Sequence, residues 1–137
     1  MRTLHTAYRV SDLDTSLAFY SALGYEVIGK VHLDDEATLT MLSFPGEATV
    51  TLELVHRPSL GTVELGTGFS HLVVQVEDVA AACEVLSNAG LRPESVQRPG
   101  GPEGPQTSWL TDPDGYRLEL VQWPPGHAEG ITRDDFA

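Results

Sequence analysis

Two residue types recur in this chain at one interval. His5 and His71 stand 66 positions apart, and so do Glu53 and Glu119. The same offset superposes Val10 on Val76, Asp12 on Asp78 and Gly24 on Gly90, and lays Leu52-Glu53-Leu54-Val55 on an identical Leu118-Glu119-Leu120-Val121. The matches fall at the start and end of each half, and each half supplies one imidazole and one carboxylate. Two His and two Glu make an N/O donor set suited to a divalent transition metal. Taken singly, a His in a strand is more often a satisfied structural residue, and a Glu there merely faces solvent. It is the repetition of both types at both places that points to a metal site. No second histidine stands 66 positions from His32, His56 or His127, and these three are assigned to the surface.

The elements that must carry these residues follow from local pattern. Leu4 to Val10 alternates as a strand, with His5, Ala7 and Arg9 on one face and Leu4, Thr6, Tyr8 and Val10 on the other. Ser11-Asp12 starts a helix, with Asp14 at capping-box spacing from Ser11. Leu13, Leu17, Tyr20 and Leu23 form its apolar stripe, and Gly24 ends it. Tyr25 to Val31, Ala37 to Phe44 and Thr49 to Val55 read as strands, the last bearing Glu53 on its polar face.

After a connection the order restarts. His71 to Val76 is a strand, Asp78 caps a helix whose Val79, Ala82, Cys83 and Leu86 face inward, and Gly90 closes it. Residues 92–106, with four prolines and three glycines, predict a loop and a candidate lid. Strands around Trp109-Leu110 and over Tyr116 to Val121 flank the turn Asp112-Pro-Asp-Gly115, and Glu119 shares its face with Arg117.

The fold class expected is α+β, built from paired βαβββ modules. The first is 1–57, the linker 58–68, the second 69–123, and 124–137 a mobile tail, all in one structural domain. The aliphatic strand faces would be covered by the two helices. The faces bearing His and Glu would then line a common concave surface. A half of about 60 residues buries only about 60% of its unfolded surface, so each half needs the other or a partner chain.

Composition removes several function classes. A formal charge of −12 repels phosphate backbones and argues against nucleic-acid binding. No apolar run approaches the ~18 residues of a membrane span. Arg2-Thr3-Leu4-His5 runs straight into a strand, so no secretory leader is expected. The single cysteine, Cys83, rules out an intramolecular disulfide and fits a cytoplasmic location.

The stretches His5-Thr-Ala-Tyr-Arg-Val10, Asp12, Phe19-Tyr20, Leu23-Gly24, Leu52-Glu53-Leu54, Glu64-Leu-Gly-Thr-Gly-Phe-Ser-His71 and Asp112-Pro-Asp-Gly-Tyr-Arg-Leu-Glu119 resemble bacterial glyoxalase I (lactoylglutathione lyase), of the vicinal oxygen chelate superfamily. The resemblance covers residues 1 to about 123. It implies a homodimer in which His5 and Glu53 of one protomer join His71 and Glu119 of its partner around one divalent ion per site. Ni²⁺ or Co²⁺ is favoured by the short bacterial members, with Zn²⁺ compatible. It also implies isomerisation of the hemithioacetal of methylglyoxal and a low-molecular-weight thiol to an S-2-hydroxyacyl thioester through an enediolate. Glu119 would be the base and Glu53 the pseudo-symmetric alternate. Arg9 matches the arginine that holds the γ-glutamyl carboxylate of glutathione, and Arg57 stands where relatives place an Asn on the same group. The lid reads Arg98-Pro-Gly-Gly-Pro-Glu-Gly-Pro where relatives carry a Lys-Gly-Gly-type segment, so glutathione and other thiols both stay open. The alternatives are another metal-dependent enzyme of the superfamily (an epimerase or isomerase) and a non-catalytic small-molecule or drug-binding resistance protein of the same fold.

Overall fold

The computed structural model describes residues 1–34 and 36–137. It divides into two compact units, Met1–Phe69 with Asp112–Gly115, and Ser70–Thr111 with Tyr116–Ala137.

In the first unit β1 (Thr6–Val10) is followed by α1 (Leu13–Leu23), β2 (Glu26–His32), β3 (Thr38–Ser43) and β4 (Leu52–His56). The sheet runs β1-β4-β3-β2, with β1 parallel to β4 and the other pairings antiparallel. Alternation sets its faces: Tyr8, Val10, Leu42, Leu52 and Leu54 are buried, while Arg9, Glu53 and Val55 on the other face are half-buried.

The N-cap of α1 is Asp12, whose Oδ1 accepts the Thr15 N–H at 2.8 Å. This corrects the expected Ser11–Asp14 capping box. The Ser11 hydroxyl instead accepts the Val63 N–H at 2.7 Å, so its oxygen is spent on the connection that follows β4. Gly24, at φ 119°, closes the helix in the left-handed region that a side chain resists.

Beneath α1 runs a chain of buried hydroxyls. Tyr8 OH donates to Tyr20 OH, and Tyr20 OH donates to Asp112 Oδ2 at 2.8 Å. Tyr20 is fully buried and Asp112 nearly so. Burial, then the neighbouring Tyr8 and Asp112, hold the Tyr20 phenol far above its usual pKa, so it remains a donor at every working pH. Asp112 Oδ1 accepts the Asp114 N–H at 2.8 Å, and Asp114 Oδ2 accepts the Ser11 N–H at 3.0 Å. The turn 112–115 is thus tied to β1 and α1 by hydrogen bonds at both of its acids.

The second unit holds β5 (Leu72–Gln75), α2 (Val79–Asn88), β6 (Gln106–Thr111) and β7 (Arg117–Gln122). Its sheet order is β5-β7-β6, again with the first strand parallel to the last. Asp78 caps α2 through the Ala81 N–H at 2.9 Å, and Val79 and Leu86 are buried beneath it. The strand corresponding to β2 is reduced to an isolated bridge between Gln97 and Thr107, joined by the Glu94 N–H to Trp109 O bond at 2.8 Å. Pro93, Pro99 and Pro102 have no N–H to give a ladder, which explains the loss. In the loop the chain approaches itself closely at Gly104, where a Cβ would meet the Gly100 backbone at 3.3 Å.

The tail makes hydrogen bonds of its own. Gln75 Nε2 donates to Ala128 O at 2.9 Å, and a capping box between Thr132 and Asp135 starts a 3-10 turn over Arg133–Phe136. Replacing Tyr20 by Phe removes a hydroxyl that donates to the buried Asp112 carboxylate. The variant is expected to lose about 1–3 kcal/mol of stability, read as a lower urea midpoint at unchanged slope. An unaltered midpoint would remove the hydroxyl chain from the account of how the 112–115 turn is held.

Candidate metal-binding and catalytic site

His5 immediately precedes β1, and Glu53 is the second residue of β4. The parallel register pairs Glu53 with Ala7, two residues beyond His5, so both side chains emerge on the same face. There His5 Nε2 lies 2.8 Å from Glu53 Oε2, with side chains 24% and 14% exposed. The second unit repeats the construction. His71 precedes β5, Glu119 pairs with Val73, and His71 Nε2 lies 3.2 Å from Glu119 Oε2.

Each unit therefore brings its own imidazole and carboxylate together. Two donors sharing a cis edge of an octahedral ion at bond lengths of about 2.1 Å stand about 3 Å apart. Both pairs have that spacing and the right donor atoms, so they fit a divalent ion. Among the described residues no group of three or more His, Cys, Asp or Glu side chains is gathered as a metal cluster. The four side chains stand as two separate His–Glu pairs, one in each unit.

The surroundings of the halves differ. Beside His5 is a cavity of about 360 Å³ lined by Arg2, Thr3, Leu4, His5, Thr49 and Val50. Beside His71 is a wall of side chains that pattern alone did not single out. Ser70 Oγ is 2.7 Å from His71 Nδ1, which leaves Nε2 turned toward Glu119. The His71 ring meets Trp109 edge-on, centroids 4.9 Å apart at 69°. Trp109 pairs directly across from Glu119 in β6–β7, and the Arg117 guanidinium carbon lies 5.0 Å from the Trp109 ring centroid. Arg117 Nη1 donates to Thr111 Oγ1 at 2.8 Å and to Glu94 Oε2. The only sequence signal for this wall is Arg117, two residues before Glu119 on the same face.

The expected substrate arginines are placed as follows. Arg9 is on the His5 face, where Nη1 donates to Gly61 O at 2.7 Å and Nη2 to Thr62 O at 3.2 Å. It braces the connection after β4. Arg57 is half-buried and accepts the Leu60 N–H on its carbonyl at the head of the 3-10 turn Pro58–Leu60.

Comparison with known proteins gives a consistent neighbourhood. Residues 2–120 match the family model of the Glyoxalase/Bleomycin resistance protein/Dioxygenase superfamily. A lactoylglutathione lyase of Haemophilus influenzae is 34% identical over 128 residues, covering 89% of this chain and 93% of that one. The structure of a trypanothione-dependent glyoxalase I of Leishmania major superposes with TM-score 0.73 at 30% identity, over 89% of this chain and 86% of that one. A glyoxalase I mutant of Zea mays superposes with TM-score 0.79 at 29% identity over 90% of this chain, which spans only 45% of the maize chain.

The Arg117–Glu94 pair gives a pH signature. Hydrogen bonding from Arg117, against a smaller opposing effect of burial, holds the Glu94 carboxyl below its ordinary 4.5. A depressed folded value means the pairing is complete above 4.5 and is lost as pH falls through the lowered value. With Trp123 replaced by Phe, Trp109 is the only indole left. Its emission should then show an acid step below about 4.5 that Glu94→Gln abolishes. A step that persists in Glu94→Gln would mean that another group controls the indole.

Proposed function

The chain belongs to the Glyoxalase/Bleomycin resistance protein/Dioxygenase superfamily, and from that premise we propose that it is a glyoxalase I-type lyase. Its substrate would be the hemithioacetal of methylglyoxal with glutathione or another low-molecular-weight thiol, and its product the S-2-hydroxyacyl thioester. One observation carries the reading: a His–Glu pair stands at the same two places in both units, 2.8 and 3.2 Å apart, on the face opposite each aliphatic core.

The reaction moves one proton from the thiol-bearing carbon to its neighbour and a second from the hydroxyl of the first carbon to the oxygen of the second, with no net oxidation or reduction. Glu119 is the proposed base. Its Oε2 takes the proton from the first carbon and returns it to the second, a role worth about 10²–10⁴-fold in rate. Glu53 holds the pseudo-symmetric position and is the alternate. His5, Glu53, His71 and Glu119 would hold one divalent ion per site, Ni²⁺ or Co²⁺ in preference to Zn²⁺. When bound, such an ion supplies Lewis acidity toward the vicinal oxygens and offsets the negative charge that proton removal creates. Ser70 and Trp109 keep the His71 ring in place. Arg9 and Arg57 are the proposed contacts for the thiol arm, with Arg9 exchanging its carbonyl partners for substrate.

The assembly proposed is a homodimer in which one protomer's His5 and Glu53 share a site with its partner's His71 and Glu119. The proposed location is the cytoplasm, and no helix among the described residues is long and apolar enough to cross a membrane.

The reading is tested on protein stripped of metal and reloaded separately with Ni²⁺, Co²⁺ and Zn²⁺, assayed with methylglyoxal and glutathione. Turnover is expected with Ni²⁺ or Co²⁺. Stoichiometric metal without turnover on glutathione or other thiols would move the substrate elsewhere in the superfamily. Glu119→Gln should lower turnover by about 10²–10⁴-fold while keeping most of the metal, and an active, fully loaded variant would overturn its assignment as base. For the shared site, His5→Ala and His71→Ala are each expected to be inactive. Dissociated and mixed, they should regain about a quarter of wild-type activity, because half the dimers then carry one intact site. No recovery on mixing would sink the shared-site assembly.

A further inference from the structure

Glu94 and Arg117 form an ion pair on the face that carries the proposed base, and the lyase reaction as described makes no use of it. Both are exposed, with side chains 38% open for Arg117 and 52% for Glu94. An exposed pair of this kind contributes little to stability, about 0–1 kcal/mol. Yet Arg117 is unusually well oriented for a surface cation. Its guanidinium carbon lies 5.0 Å from the Trp109 ring centroid, and Thr111 Oγ1 accepts from Nη1 at 2.8 Å. Glu94 takes the same nitrogen, and no hydrogen bond to Nη2 or Nε occurs among the described residues. A guanidinium held over an aromatic ring, with Nη2 and Nε left open, is suited to a carboxylate.

Glu94 is also delivered rigidly. Its N–H donates to Trp109 O at 2.8 Å, and its carbonyl accepts from Ser108 Oγ at 2.6 Å. The backbone of residue 94 is thus fixed to β6, and only the side chain need swing away. Arg117 precedes Glu119 by two positions on β7, so the cation flanks the group that would abstract the proton.

We propose that Arg117 is a specificity-determining residue: it takes a carboxylate on the thiol arm of the substrate, and Glu94 is the internal carboxylate that occupies it until the substrate displaces it. The inference rests on the hemithioacetal reading above, and it names the chemistry of the thiol, one bearing a carboxylate. An uncharged arm cannot replace Glu94 on the guanidinium, so it leaves the pair closed and gains nothing from Arg117, and the site discriminates in favour of acidic thiols.

The test uses the whole chain carrying Trp123→Phe, so that emission reports Trp109. The probes are S-methylglutathione and its diethyl ester, which lacks both carboxylates. Glu94→Gln should tighten the acid by about threefold, the size of an exposed pair. Arg117→Ala should weaken it by about tenfold, as for a lost charge-assisted bond, with Arg117→Lys between. None of the three should change binding of the ester. In turnover, Arg117→Ala should raise KM for the glutathione hemithioacetal and leave kcat in place, the mark of lost uniform binding.

Equal shifts for acid and ester, weaker acid binding in Glu94→Gln, or no saturable response to either probe overturns the inference. Should Arg117→Ala fail to fold, Glu94→Gln and Arg117→Lys still decide it. Acid-selective binding without turnover of any hemithioacetal would discard the lyase reading and keep the carboxylate subsite. Turnover without acid selectivity would do the reverse.

Discussion

In each unit the first strand lies parallel to the last, and the candidate chemistry depends on that pairing. A parallel pair cannot be closed by a tight turn; it needs a long crossover. Between β1 and β4 the chain spends α1, β2 and β3 on it, and between β5 and β7 it spends α2 and β6. The pairing fixes a register in which Glu53 sits beside Ala7 and Glu119 beside Val73. Because each His lies two residues before that partner, it is a diagonal neighbour of the Glu on one face, within side-chain reach. A slip of one residue would turn both carboxylates into the core. Leu52, Leu54, Leu118 and Leu120, all fully buried on the opposite face, are what forbid the slip.

The connections are held by side chains rather than by further ladders. In the first unit Ser11, Arg9 and Asp114 each give or accept a hydrogen bond with backbone in a neighbouring segment. The Tyr8–Tyr20–Asp112 chain anchors the 112–115 turn from below. A buried polar network stabilises only when its members are satisfied, and this one is so because the Tyr20 phenol stays protonated.

Charge is distributed with a purpose that the net value conceals. The chain carries −12 overall, with only eight Lys and Arg against twenty Asp and Glu. Of those few cations, two sit on the faces that bear the His–Glu pairs: Arg9, braced by the carbonyls of Gly61 and Thr62, and Arg117, braced by Trp109, Thr111 and Glu94. In an acidic protein an anionic substrate has few places to rest. On the proposed reading, a guanidinium on each of these faces would draw such a substrate toward the His–Glu pairs.

Much of this was legible in the chain because it depends on local pattern. The 66-residue offset, the period-two alternation, the starts of α1 and α2 at Asp12 and Asp78 and the stop at Gly24 each follow from a few neighbouring residues. So does the sharing of a face by His5 and Arg9, or by Arg117 and Glu119. The pairs His5–Glu53 and His71–Glu119 were readable because duplication wrote the same answer twice. Tertiary structure decided which hydroxyl caps α1, since Ser11 had a competing partner 52 positions away. It decided that Arg9 braces a connection, that a proline-rich segment keeps only one bridge of a strand, and that the tail folds back on Gln75. It alone brought Glu94 to Arg117 and Trp109 to His71. The reason is physical: periodicity and capping act over three or four residues, whereas a side-chain hydrogen bond goes to whichever partner the completed fold brings within about 3 Å.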